Sequence, residues 1–95
     1  MSKYARYPDV VTEADVSEMI SKQRSLEAKR RGGPAELTPY AIRCHKHGRA
    51  VLTFSEAGDA MCGATQAKCP YCVPERECKI DSFWYEHTKE RLFGL

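Results

Sequence analysis

Two short stretches hold the residues best suited to chemistry. Cys44-His45-Lys46-His47-Gly48 sets a thiol and an imidazole at C-x-x-H spacing, and Cys69-Pro70-Tyr71-Cys72 sets two thiols at C-x-x-C spacing. A C-x-x-C pair has two chemistries. One thiolate can attack a disulfide while the other resolves the mixed intermediate, or both can grip a metal ion and leave bonds alone. Residues 48–68 separate the two pairs. Each pair can fold into a tight turn whose backbone amides point at the sulfurs, and the two turns can face each other across one tetrahedral ion.

The surroundings of these residues bear on the choice. The chain carries five cysteines, Cys44, Cys62, Cys69, Cys72 and Cys78, and the odd count argues against a closed disulfide framework. MSKYARYPDVV at the N-terminus lacks the apolar core of a signal peptide, and no stretch reaches the roughly 18 apolar residues of a membrane span. The expectation is a chain in a reducing cytosol, where cysteines serve as metal ligands, redox groups or small buried hydrophobes. His45 competes with His47 for one coordination position, and the less strained C-x-x-H spacing favours His47. Cys78, six residues past Cys72, is a candidate replacement ligand. Cys62 is expected to be a buried strand residue against Val51 or Phe54, and His87 a satisfied or exposed histidine on a helix.

The elements that must position the pairs are short. Ala41-Ile42-Arg43 reads as a strand leading into the first turn, and Arg49–Phe54 (RAVLTF) as a second strand. Glu56–Asp59 reads as a turn, after which Ala60–Cys62 is expected to pair back. Ligand turn, hairpin, ligand turn over 41–72 resembles a zinc ribbon of the Cys-x-x-His-Gly … Cys-Pro-x-Cys type, across about a third of the chain. The resemblance implies one structural Zn2+ held by Cys44, His47, Cys69 and Cys72. Such ribbons occur in transcription and replication proteins and in small phage and mobile-element accessory proteins. Val73-Pro74 departs from the pattern, since a glycine often follows the last cysteine.

The same four letters, CPYC, match the dithiol of glutaredoxins, which sits at the end of an apolar strand and the start of a helix that lowers the thiolate pKa. Here CGATQAK makes a poor strand, Pro74 would fall inside that helix, and residues 73–95 are too few for the remainder of a thiol fold. The metal reading is the stronger. A hairpin of this size buries too little apolar area to fold alone. Zinc binding to small finger peptides is worth on the order of 10–16 kcal/mol at neutral pH, against about 1.5–3 kcal/mol for each of Val51, Leu52 and Phe54. Four protein ligands also close the ion to water, so the expected metal is structural and the chain no enzyme.

Helices are expected on either side. Thr12 and Asp15 form a capping-box-like start, with Val11 and Val16 as a hydrophobic staple, for a helix over about 13–31. Its stripe, Val16, Met19, Ile20 and Leu26, gives out at Glu27 and Arg30, so the last turn and a half is expected to leave the protein body. Gly32-Gly33-Pro34 stops it. Asp81 or Ser82 caps a second helix over about 82–93, with Gly94 ending it, and this helix carries the aromatic run Phe83-Trp84-Tyr85. The architecture expected is α+β in one compact domain: an N-terminal arm and helix (1–34), the zinc ribbon (35–78) and a C-terminal aromatic helix (79–95).

Fifteen Lys+Arg against thirteen Asp+Glu leave a net charge of +2, too near neutral to announce a nucleic-acid protein. The first functional expectation is therefore a non-enzymatic adaptor that docks on a larger protein complex and modulates it, with a host DNA- or RNA-processing machine as the target suggested by analogy alone. Phe83, Trp84, Tyr85, Arg30 and Arg31 are its candidate contacts. The second is direct nucleic-acid binding through Lys29, Arg30, Arg31, Arg43, Lys46, Arg49 and Lys68. Neither expectation includes a membrane or a small-molecule substrate.

Overall fold

The computed structural model describes residues 11–93. Helix α1, Glu13–Arg31, starts at the expected capping box. The Asp15 amide donates to the Thr12 hydroxyl at 3.2 Å, and the Thr12 amide donates to the Asp15 carboxylate at 3.1 Å. It ends at Gly32, whose φ of 75° is the left-handed cap that glycine adopts without strain. The Gly33 amide then returns to the Ala28 carbonyl at 2.9 Å.

Four antiparallel strands follow: β1 (Leu37–Cys44), β2 (Gly48–Thr53), β3 (Gln66–Lys68) and β4 (Glu77–Ile80). A short helix, α2 (Gly58–Met61), lies between β2 and β3, and α3 (Ser82–Phe93) comes last. The sheet order is β2-β1-β4-β3. It consists of two local hairpins joined along a central seam, where Ile42 pairs with Ile80 and Arg43 with Lys79. The architecture is α+β, as expected. Gly94, the expected stop of α3, lies outside the described residues.

Alternation along β1 and β2 gives the sheet two faces. Ala41 and Val51, cross-strand partners, pack with Val16 and Ile20 of α1 and Trp84 of α3. Ile42, Cys44, Ala50 and Leu52 form a second cluster with Ala57, Ala67, Cys69, Cys72 and Cys78. Pro39 lies inside β1 and has no N–H for the ladder. The pairing shifts between Leu37 and Ala41, and the Thr38 hydroxyl donates to the Leu52 carbonyl at 2.9 Å, as a bulge at proline requires.

Three expectations are corrected. Residues 60–62 do not pair with the RAVLTF strand: α2 occupies 58–61, and the partner of β2 is β1. Cys62 is accordingly exposed at the end of α2 instead of buried in a strand. The end of α1 does not leave the protein body. Glu27 is fully buried whereas Leu26 is 43% exposed, so an acid takes the inward position that the stripe would assign to an apolar residue.

Candidate metal centre

Each hairpin delivers one ligand pair at its tip. Cys44 is the last residue of β1 and Gly48 the first of β2, and the two are cross-strand partners. Closing so short a turn puts Gly48 at a φ of 72°, where a side chain is strained even though the space around its Cα is open. The Lys46 amide points back at the Cys44 sulfur, 3.4 Å away. The second turn joins β3 to β4. There the Cys69 amide donates to the Arg76 carbonyl at 2.9 Å, and the Cys72 amide to the Cys69 carbonyl at 3.4 Å. The Val73–Pro74 peptide that follows is cis.

The two tips meet. Cys44 Sγ lies 3.5 Å from Cys72 Sγ, and His47 Nδ1 lies 3.5, 3.4 and 3.5 Å from the sulfurs of Cys44, Cys69 and Cys72. All four ligand atoms fall within 4.8 Å of one another. A zinc ion with Zn–S of about 2.3 Å and Zn–N of about 2.0–2.1 Å demands tetrahedral edges of roughly 3.5–3.8 Å. Four edges are at or just under that range, and the ligand set Cys44, His47, Cys69 and Cys72 can hold a metal ion. All five cysteines are free thiols. The three sulfurs are buried and His47 is half-buried, so water has little access.

The thiols are not alike. Burial pushes Cys44 up, but amide donors from Lys46 and His47, the imidazole and the Cys72 thiol outweigh it and bring Cys44 down to about 6. Cys69 is pushed up to about 12, first by burial and then by the sulfurs of Cys72 and Cys44, against the opposing Tyr71 amide. Three adjacent sulfurs cannot all carry charge in a closed pocket without a cation among them.

The other candidate ligands fall outside the cluster. His45 is exposed at the tip of the first turn. Cys78 is buried one step past the Arg43–Lys79 pair, and burial, then the neighbouring Cys44 thiol, raise it to about 11. His87 Nδ1 hydrogen-bonds the Phe83 carbonyl at 2.8 Å, and its ring stacks on Phe83 at 4.0 Å.

The candidate contact residues are distributed unevenly. Trp84 is 1% exposed in the α1–α3 core, so burial removes it from any exposed anchor. Phe83 and Tyr85 are half-buried, Tyr85 against Tyr40 at 4.6 Å. Lys29 and Lys46 are exposed. Arg49 and Arg43 meet the Asp81 carboxylate at 2.7 and 3.4 Å, and Lys68 meets Glu75 at 3.0 Å. Arg30 and Arg31 turn back onto the sheet, with Arg31 against Glu56 at 2.7 Å.

Sequence reasoning missed Tyr71, Glu56 and Asp81 as partners of these cations, and it missed the burial of Glu27 beside Arg31. For Glu27 the available signal was an acid at a stripe position followed by two arginines at i+3 and i+4. No family model matches the chain, and comparison with curated proteins and with solved structures returns no match.

Proposed function

We propose that this chain is a zinc-ribbon adaptor: a non-enzymatic protein that holds one structural zinc ion and docks on a larger protein complex in a reducing compartment. The observation that carries the metal half is the convergence of His47 Nδ1 and three sulfurs, at 3.4–3.5 Å, from two separate hairpin tips. Cys44, His47, Cys69 and Cys72 supply a closed, sulfur-rich set suited to zinc. What supports metal over thiol exchange is the state of Cys69. It is buried, and residues 70–76 after it are not helical. An attacking thiol has the opposite environment.

Where the cations point weighs against direct phosphate contact. Of seven candidate phosphate-binding residues, Arg30, Arg31, Arg43, Arg49 and Lys68 already face carboxylates within the chain. A phosphate would have to compete with those carboxylates. No helix among the described residues is long and apolar enough to cross a membrane.

Native mass spectrometry of the reduced protein should find one zinc per chain, and chelation at neutral pH should lower the melting temperature and expose the ligand thiols to titration. A metal-free chain with an unchanged melt refutes the metal half. Capture from cell extract should depend on zinc and persist at moderate salt. Nucleic-acid binding whose log affinity falls by about 0.9 per neutralised phosphate against log salt would replace the adaptor reading with direct binding.

A further inference from the structure

The last turns of α1 grip both ligand-bearing tips at once. The Glu27 carboxylate, fully buried, accepts from the Tyr71 hydroxyl and from Arg30 at 3.3 Å, with Arg31 Nε at 3.6 Å. Tyr71 lies between ligands Cys69 and Cys72 in the second turn. Arg30 also donates to the carbonyls of His47 and Arg49, each at 3.2 Å, and so holds the first turn through a ligand residue's own backbone. Arg31 donates to the Val51 carbonyl at 3.2 Å. Both guanidinium groups sit over the Tyr71 ring, at 5.3 and 5.5 Å, and the His47 and Tyr71 ring centroids are 5.8 Å apart with the rings tilted by 58°.

We propose that Glu27 and Tyr71 are positioning residues for the metal centre, and that zinc occupancy and docking of the α1 end are one coupled equilibrium. The proposal rests on the zinc reading above. The chain of contact is continuous: Glu27 holds Tyr71, Tyr71 orders the Cys69–Cys72 turn, and Arg30 ties the same helix to His47. A buried carboxylate keeps these contacts only if its partners stay in place. When the second turn loses its ion it loses the constraint that keeps Tyr71 over Glu27. Linkage makes the effect reciprocal, so whatever factor the clasp adds to zinc affinity, zinc adds to docking of the helix end.

Zinc affinity is measured by competition with a chromophoric chelator for the wild type, Tyr71→Phe, Glu27→Gln and the control Leu26→Ala, which alters an exposed neighbour on the same turn. Both substitutions at the clasp keep side-chain shape. Each should bind one zinc about 10–100-fold more weakly, the usual effect of removing an outer-sphere partner, with Leu26→Ala within about twofold of wild type. Hydrogen exchange at amides 27–31 should rise on zinc removal in the wild type and less so in Tyr71→Phe. Clasp variants that melt earlier yet bind zinc as tightly as wild type would reduce Glu27 and Tyr71 to structural residues and overturn the proposal. A wild-type chain that binds no zinc would take the metal reading down with it, a distinct outcome.

Discussion

Asp81 does two jobs, and substitution separates them. Its Oδ1 accepts from the Trp84 amide at 3.2 Å, capping α3, while its Oδ2 meets Arg49 at 2.7 Å and Arg43 at 3.4 Å. The carboxylate is 2% exposed and the Arg49 side chain 12%, whereas Arg43 is 31% exposed. Removing one partner of a buried pair costs about 3–5 kcal/mol. The low end applies because Arg49 retains some solvent and a cation–π contact with Trp84 at 5.1 Å. The Arg43 pair adds roughly 0–1 kcal/mol, and a lost cap about 1 kcal/mol. Asp81→Asn keeps the cap and loses the charge, so it should cost about 3 kcal/mol; Asp81→Ala should cost about 4 kcal/mol.

A domain of this size has a total stability of roughly 5–14 kcal/mol, so either loss is large. Urea unfolding of the zinc-loaded protein, followed through the single tryptophan, measures both. A double-mutant cycle with Arg49→Met isolates the pair. If Asp81→Asn matches wild type, the buried pair contributes nothing and the reasoning fails. If Asp81→Ala costs under about 1 kcal/mol, the cap estimate fails with it.

Glu56 sets a pH dependence. Burial raises its carboxyl, but bonds from Arg31 at 2.7 and 3.0 Å and from the Thr53 amide at 2.9 Å outweigh burial and hold it below its ordinary value. Its contribution is therefore complete above the unfolded value of 4.5 and is lost as pH falls through the lower folded value. The stability gap between wild type and Glu56→Gln should shrink on acidification below that point; a gap that widens there refutes the sign. Gly48→Ala should cost about 1–2 kcal/mol through its left-handed backbone alone, because nothing lies within 4 Å of the added methyl group. Thermal melts of the zinc-loaded variant test this, and a neutral result would mean that the first turn relaxes.

What could be read along the chain was local. The capping box needs only Thr12 and Asp15, and each candidate ligand pair needs only its own turn, so both were legible as local patterns. Helix α3 and its Asp81 cap were legible for the same reason. The pairing of RAVLTF was not, because an apolar strand can join either flank, and the strand expected over Ala41–Arg43 was drawn too short because Pro39, which has no N–H for a ladder, lies inside β1. The end of α1 was misjudged because the burial of Glu27 depends on Tyr71, which lies 44 residues away. Trp84 was similarly ambiguous: an aromatic run reads alike whether it faces a partner or, as here, Val16, Ile20 and Val51.

The hairpin tips have a consequence for how the strands align. Sliding β1 by one residue would turn Cys44 toward the helices and send Ala41 to the cysteine side. A chain misthreaded in this way could still satisfy much of its backbone, but it would offer an ion too few sulfurs. An ion bound by these four residues would act as a proofreader, rewarding the single threading in which all four donors arrive together.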